Sequence, residues 1–444
     1  MGQYAQHRHL VSFGVTALLV TVFVVTYAAI AFEEPLKINK SATALIGAGV
    51  LWTLWALGGA GHAAGHDPSQ QLSATLVGTA EITFFLMGAM TVVEVIDTHG
   101  GFEVVTQRIH AQSLVALVWI VCAVTFLLSA VLDNLTTTIV MVALVRQLVA
   151  PREDRLYLAG LVVIAANAGG AWSPMGDITT SMLWIGGQVT GPAIVTKLFL
   201  PSLVNLTAPL AVVSLVLRGR KVVAPARQAA RGDGPTEFER NLVFGLGLGV
   251  LLAVPAFKAV THLPPWLGIL LGLGLLWVAA DLIHRDKEVE VRRRMVIADA
   301  LTRIDMAAII FFAGILLAVG VLEHAGVLSA LAAWLDAVIG RLDVIVVLFG
   351  LLSAVVDNVP MVAAAMGMYP LARYPADSFL WEFMAYCAGT GGSILIIGSA
   401  AGVAAMSIEK IEFFWYLRKF SLLALLGYLA GAGVYMGQTV LLGG

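Results

Sequence analysis

The stretch that decides the fold runs Leu127-Leu128-Ser129-Ala130-Val131-Leu132-Asp133-Asn134-Leu135-Thr136-Thr137-Thr138. It sets an aspartate beside an asparagine in the middle of an apolar run. A charge is costly to hold in such surroundings, so Asp133 is a functional-site candidate from the outset. The phrase returns 224 residues later, where Leu351 to Asn358 differs from Leu127 to Asn134 only in having Val356 for Leu132. Two Asp-Asn pairs in matching frames point to a duplicated site.

Composition sets the solvent. The chain has 444 residues, 59% hydrophobic and 12% charged, with 45 glycines; a soluble protein would be roughly a quarter charged. Apolar runs of about 17–25 residues recur along its length, as membrane-spanning helices require. The fold class expected is an all-α polytopic membrane protein, with the lipid bilayer as its surroundings and no nucleic-acid partner. Cys122 and Cys387 lie in apolar segments without metal or redox spacing and read as structural. The first apolar segment, Leu10 to Phe32, ends in Ala29-Ile30-Ala31, which resembles a cleavage site. It is long for a signal peptide and poor in basic residues before it, so a retained helix is expected.

The chain divides into ten crossings, the third expected at Glu81 to Asp97 and the last at Trp415 to Leu441, and two non-crossing hairpins. Residues 1–35 form an N-terminal helix. A first repeat over 36–220 holds a hairpin at 113–149 and a broken helix at 156–187. A loop and linking helix occupy 221–262. A second repeat over 263–444 holds a hairpin at 344–370 and a broken helix at 379–407. With both termini outside, Lys37, Lys40, Arg108, Arg146, Arg152 and Arg155 fall on the cytoplasmic side. So do the clusters Arg218–Arg240 and Arg285–Arg303, and Lys410, Arg418 and Lys419. Only Arg8, Arg341 and Arg373 fall outside, which satisfies the positive-inside rule.

The repeat extends beyond the opening phrase. Gly47, Gly49, Leu51 and Trp52 recur as Gly272, Gly274, Leu276 and Trp277. Gly169, Gly170 and Gly176 recur as Gly391, Gly392 and Gly398, and the offsets stay between 222 and 226. Five crossings separate the two starts, so the copies insert in opposite orientations. Inverted repeats with interrupted helices are a signature of secondary transporters. Gly101 to His110 and Val327 to Gly340 read as amphipathic pieces along the interface.

Chemistry concentrates where a hairpin tip meets a helix break. The first break reads Asn167-Ala168-Gly169-Gly170-Ala171-Trp172-Ser173-Pro174-Met175-Gly176-Asp177-Ile178-Thr179-Thr180. Glycine and proline release backbone groups from the helical ladder, and carbonyls freed at a half-helix C-terminus attract cations. Asp133, Asn134, Thr136, Asp177, Thr179 and Thr180 form a hard-oxygen set suited to sodium, lithium or a proton. The second site has Asp357 and Asn358 with Thr390, Ser393 and Ser399, and no carboxylate where Asp177 stands.

The segments Asp133-Asn134-Leu135-Thr136-Thr137-Thr138, Gly169 to Asp177, Asp357-Asn358-Val359-Pro360 and Gly389-Thr390-Gly391-Gly392-Ser393 resemble the NhaD sodium/proton antiporters of the ion transporter superfamily, which also holds arsenite permeases and dicarboxylate carriers. The resemblance covers nearly the whole chain, from about Leu36 onward. It implies two inverted repeats, a homodimer, and exchange of sodium or lithium for protons in a bacterial inner membrane. It also implies functional acids at Glu81, Asp133 and Asp177, with Thr179 beside the last. No cofactor is implied; sodium, lithium and protons are the transported ions. Burial favours a protonated carboxyl and a bound cation favours the ionised one, so the two ions compete for one site.

The other polar groups carry less. Glu94, Asp97, Asp281 and Asp305 read as boundary residues, and Glu81 as a structural cap or an access-path acid. His62 and His66 are an incidental loop pair, whereas His99, His110 and His284 are cytoplasmic-side groups that titrate near neutrality. An arsenite or organic-anion carrier would want basic groups at the breaks, and none is there. An intramembrane aspartyl protease would need Asp133 and Asp357 about a hydrogen bond apart, where the repeat gives each its own hairpin.

Overall fold

The computed structural model describes residues 2–31, 36–58, 67–106, 111–223, 225, 236–285, 297–355 and 358–442. Asp357, His62, His66 and His110 lie outside these residues, as do residues 107–110 of the first amphipathic piece and half of the basic residues in the two clusters. Among the described residues the structure is helical, apart from one isolated antiparallel bridge between Ser113 and Lys221. Seven helices among the described residues are long and apolar enough to cross a membrane: Lys40–Leu57, Pro68–Thr98, Gly191–Val216, Glu237–Thr261, Pro265–His284, Met306–His324 and Ser421–Leu441. The chain is a multi-pass membrane protein.

Two boundaries differ from the sequence reading. The third apolar helix begins at Pro68, well before Glu81, because Asp67 caps it and proline suits a first turn; the Asp67 Oδ1 accepts from the Ser69 N–H at 3.0 Å. The last segment is broken into Phe413–Lys419 and Ser421–Leu442. No glycine or proline marks that break. The Phe420 ring sits where a side chain on Gly160 would be, and packs with Tyr157, Trp415 and Tyr416.

The chain divides into two compact units. The first comprises Met1–Phe84, Asp305–Ile345 and Val359–Pro375. Its core is the pairing of Lys40–Leu57 with Met306–His324, fixed by polar side chains reaching the neighbouring backbone. Ser41 donates to the Ala307 carbonyl at 2.6 Å and Trp52 Nε1 donates to that of Leu317 at 2.9 Å. A Cβ on Gly314 would press on Ala44, so glycine there permits the close approach. Glu81, half-buried, belongs to this unit.

The second unit comprises Phe85–Ile304, Val346–Asn358 and Ala376–Gly444. The 113–149 segment forms two helices, Leu114–Ser129 and Asn134–Leu148. The 156–187 segment forms Arg152–Ala171 and Ile178–Ile185 with a non-helical break between them. The 379–407 segment is interrupted likewise, into Phe379–Gly391 and Ala400–Glu409. The 344–370 segment gives Leu342–Leu352 and Asn358–Met368, of which Val346–Asn358 belongs to this unit and the rest to the first.

The same close contacts recur in both copies. A Cβ on Gly169 would meet the Phe126 carbonyl oxygen, and one on Gly391 that of Gly350; one on Gly176 would meet Ser129 and Ala130, and one on Gly398 Ala354. Ser129 donates to the Ala166 carbonyl at 2.6 Å, and its repeat partner Ser353 donates to that of Ala388 at 3.1 Å. These contacts hold each break against the residues that lead into the Asp-Asn phrase. The first arms of the two breaks also approach each other, since a Cβ on Gly389 would lie 3.2 Å from the Ala171 side chain.

Candidate functional site

Each break restarts as a helix behind a polar cap. Asp177 (φ −145°, ψ 147°) caps Ile178–Ile185, and Ser399 (φ −145°, ψ 153°) caps Ala400–Glu409 in nearly the same conformation. Asp133 caps Asn134–Leu148. A capping oxygen satisfies backbone N–H groups left open at a helix start, and an anion is favoured by the helix dipole there. The sequence therefore uses one device three times, with a carboxylate at two of the caps and a hydroxyl at the third.

Asp177 is the centre of the arrangement. Only 1% of it is exposed. Its Oδ1 accepts from the Thr179 N–H at 2.8 Å and from the Thr179 hydroxyl at 2.5 Å, and the Asn358 Nδ2 lies 3.5 Å away. Its Oδ2 accepts from Asn134 Nδ2 at 2.6 Å. Asn134 belongs to the first Asp-Asn phrase and Asn358 to the second, so amides from both converge on one carboxylate.

Asn167, which the sequence reading did not place among the site residues, joins this group to the second break. Its Oδ1 accepts from Asn134 Nδ2 at 2.9 Å, and its Nδ2 donates to both Ser393 and Ser399 at 2.9 Å. All four side chains are buried. The available signal was an amide in the buried apolar run Leu158–Ala171, at a position where the second copy has Gly389.

The Asp133 carboxylate accepts from the backbone and the hydroxyl of Thr136, both at 2.7 Å, so its bonds are those of a local cap; its neighbour Asn134 reaches Asp177. Thr180 donates to the Asp177 carbonyl at 2.8 Å, and Thr390 to the Tyr386 carbonyl one turn back at 2.6 Å. Asp357 lies outside the described residues. Glu81 belongs to the first compact unit and the Asp177 group to the second. Of the histidines, the structure brings His99 and His284 together, buried, with their Nε2 atoms 2.9 Å apart. Lys258 reaches the far end of the first restarted helix and donates to the Trp184 carbonyl at 2.6 Å.

Chemically, the Asp177 group gathers one carboxylate, three amides and three hydroxyls (Thr179, Ser393 and Ser399), with Asn134 and Asn358 turning their Nδ2 toward the carboxylate and every other polar atom a hard nitrogen or oxygen. Such a set suits an alkali cation or a proton and offers no soft ligand. Among the described residues, no three His, Cys, Asp or Glu side chains gather to hold a metal.

A family model described as a citrate transporter matches residues 7–389. The chain is 49% identical to "Sodium/proton antiporter 1" of Arabidopsis thaliana over 94% of this chain and 71% of that protein. It is 46% identical to "Sodium/proton antiporter 2" of the same plant, over 94% and 98% of the two chains. To "Na(+)/H(+) antiporter NhaD" of Alkalimonas amylolytica it is 31% identical, over 94% and 89%.

Proposed function

Since the chain belongs to the sodium/proton antiporter family, among citrate-transporter-related ion carriers, we infer that it is a secondary transporter exchanging sodium or lithium for protons by alternating access. It is not an enzyme. The observation that carries the site assignment is Asp177, a carboxylate 1% exposed and fed by amides from both Asp-Asn phrases.

In this reading the cation sits against Asp177 with Asn134, Asn167, Asn358, Thr179, Ser393 and Ser399 as neighbouring side chains, the cation taking the place of the Asn134 and Asn358 Nδ2 contacts and drawing their amide oxygens toward it. A proton on the Asp177 carboxyl and a cation beside its ionised form exclude one another, and this competition couples the two fluxes. Asp133 and Thr136 hold the helix start that aims Asn134, and Thr180 holds the one behind Asp177. Asp357 and Thr390 support the second phrase and the second break. Glu81 is assigned to the access path.

The same inference extends to architecture. The 36–220 and 263–444 segments are two inverted repeats, in which 113–149 and 344–370 are re-entrant hairpins among ten crossings. The recurring glycine and serine contacts support this. The hairpin and broken-helix region reorients against the remaining helices when loaded with one ion or the other. The chain works as a homodimer in a bacterial inner membrane with both termini on the periplasmic side, as the lysine and arginine distribution favours.

The description of the matching family model makes an organic-anion carrier the second reading. An anion would seek the positive ends of helices at the site, and Asp133 and Asp177 already occupy those of Asn134–Leu148 and Ile178–Ile185. The deciding test is ion-induced proton movement in everted vesicles. Sodium and lithium are expected to drive it; flux of arsenite or citrate without sodium-driven proton release would reverse the assignment.

A further inference from the structure

We propose that Glu382 is a proton-loading carboxyl for the exchange, supplying the Asp177 site along one face of the Phe379–Gly391 helix. The proposal rests on the antiport reading above and deepens it. Glu382 is 3% exposed, in a helix buried from Leu380 to Gly391, and the ion site does not use it. A carboxyl in such a place is expensive unless paired or functional. Its Oε2 accepts from the Tyr435 hydroxyl at 2.8 Å, across from the Ser421–Leu442 helix. The charges acting on it are Lys197, from the Gly191–Val216 helix, and Asp377, just before its own helix.

From Glu382, polar groups follow at helical spacing. Tyr386 is four residues on and Thr390 four more, with Ser393 just past the helix end. Glu382 to Thr390 is a rise of about 12 Å. Tyr386 is the middle station: its hydroxyl donates to the Tyr428 carbonyl at 2.9 Å and faces Asn205 Nδ2 at 3.3 Å. Ser393 accepts from Asn167, which is bonded through Asn134 to Asp177.

A second observation points to mobile donors beside this stripe. Ser202 and Asn205, at 0% and 1% exposure on the Gly191–Val216 helix, present an Oγ and an Oδ1 that no protein group satisfies. Buried polar atoms of this kind are met by water. Water beside Tyr386 lets the hydroxyls of Tyr386, Thr390 and Ser393 each accept one proton and release another, and water carries the proton past Asn167 and Asn134, whose amides orient the groups and relay none. Glu382 takes its proton from the aqueous side at the helix start, and the Asp177 carboxylate receives one as the sodium ion leaves.

The competing explanation is a structural clasp, in which Tyr435 pins two helices through Glu382. Transport modes separate the two. The full chain is reconstituted in proteoliposomes, and sodium/proton exchange is measured beside sodium/sodium counterflow, which moves no proton. Glu382→Gln is expected to lower sodium/proton exchange about tenfold or more and to leave counterflow at the wild-type rate, with Glu382→Asp restoring much of the loss. Tyr435→Phe keeps the ring and removes the donor, and is expected to displace the pH profile of exchange without changing counterflow. Unchanged exchange in Glu382→Gln, or equal loss of both modes, overturns the proposal. If Glu382→Gln does not insert, Glu382→Asp and Tyr435→Phe decide: a pH profile like wild type in both overturns it. Asp177→Asn serves as the separate control, since it is expected to lose both modes; if it retains them, the ion-site reading fails and Glu382 is not thereby judged.

Discussion

Asn167→Ala removes a side chain that joins the two breaks. It deletes three hydrogen bonds, one accepted from Asn134 and two donated to Ser393 and Ser399. Side-chain bonds of this kind in membrane proteins contribute about 0.6 kcal/mol each and rarely more than about 1.7. The Ser399 Oγ still accepts from the Gly402 N–H at 3.2 Å, and Asn134 keeps its bond to Asp177. The loss is therefore about 2–4 kcal/mol, the upper part reflecting buried polar atoms left partly unsatisfied. A share of it falls on cation binding, because Asn134 loses the group that orients it. About 1.4 kcal/mol of that share raises the half-saturating sodium concentration tenfold. The assay pairs thermal unfolding of the purified chain, with and without sodium, with the sodium dependence of exchange. Stability and half-saturation both at wild-type values would refute the bridging role.

Three further outcomes are expected. Gly169→Ala and Gly391→Ala each drive a Cβ into a backbone carbonyl, so both should abolish exchange or insertion, whereas Gly49→Ala, with nothing within 4 Å, should be silent in the same transport assay. Glu409, with its side chain 1% exposed, is clamped by Arg146 at 2.7 Å and Arg155 at 3.2 Å. Removing both arginines strands a buried charge at a cost of about 3–5 kcal/mol, while Glu409→Gln frees two more exposed groups and costs less; matched melting curves test the order. Thr179→Val removes the hydroxyl bonded to Asp177 but keeps the backbone bond, so helix capping survives and the pH profile of exchange shifts; an unmoved profile contradicts the role.

The elements that set the fold were readable because each carries a strong local signal. Apolar length marked the long helices, and the glycine and proline runs at Gly169–Gly176 marked a break. The start of the third apolar helix at Pro68 was also readable, from Asp67-Pro68, but the polar residues that follow obscured it. The break at Phe420 was not, because ring packing beneath Gly160 sets it and no turn residue announces it. At the site, Asp177 and its threonine stood out as a charge in an apolar run. The division of labour between Asp133 and Asn134 did not, since adjacent residues at a helix start point in different directions only once the helix exists. Asn167 and Glu382 were missed for a related reason: a single polar residue in a buried helix gains meaning from what faces it.

The central claim is that one buried carboxyl, Asp177, carries either the proton or the cation. The most direct measurement is cation-induced proton release in everted vesicles from the wild-type chain and from Asp177→Asn at matched membrane content. The substitution keeps the shape but places an amide N–H₂ against a backbone or amide donor, and removes the charge that sodium needs. Loss of sodium- and lithium-driven proton release with the protein still inserted is the predicted result. Release at the wild-type level in Asp177→Asn would contradict the account.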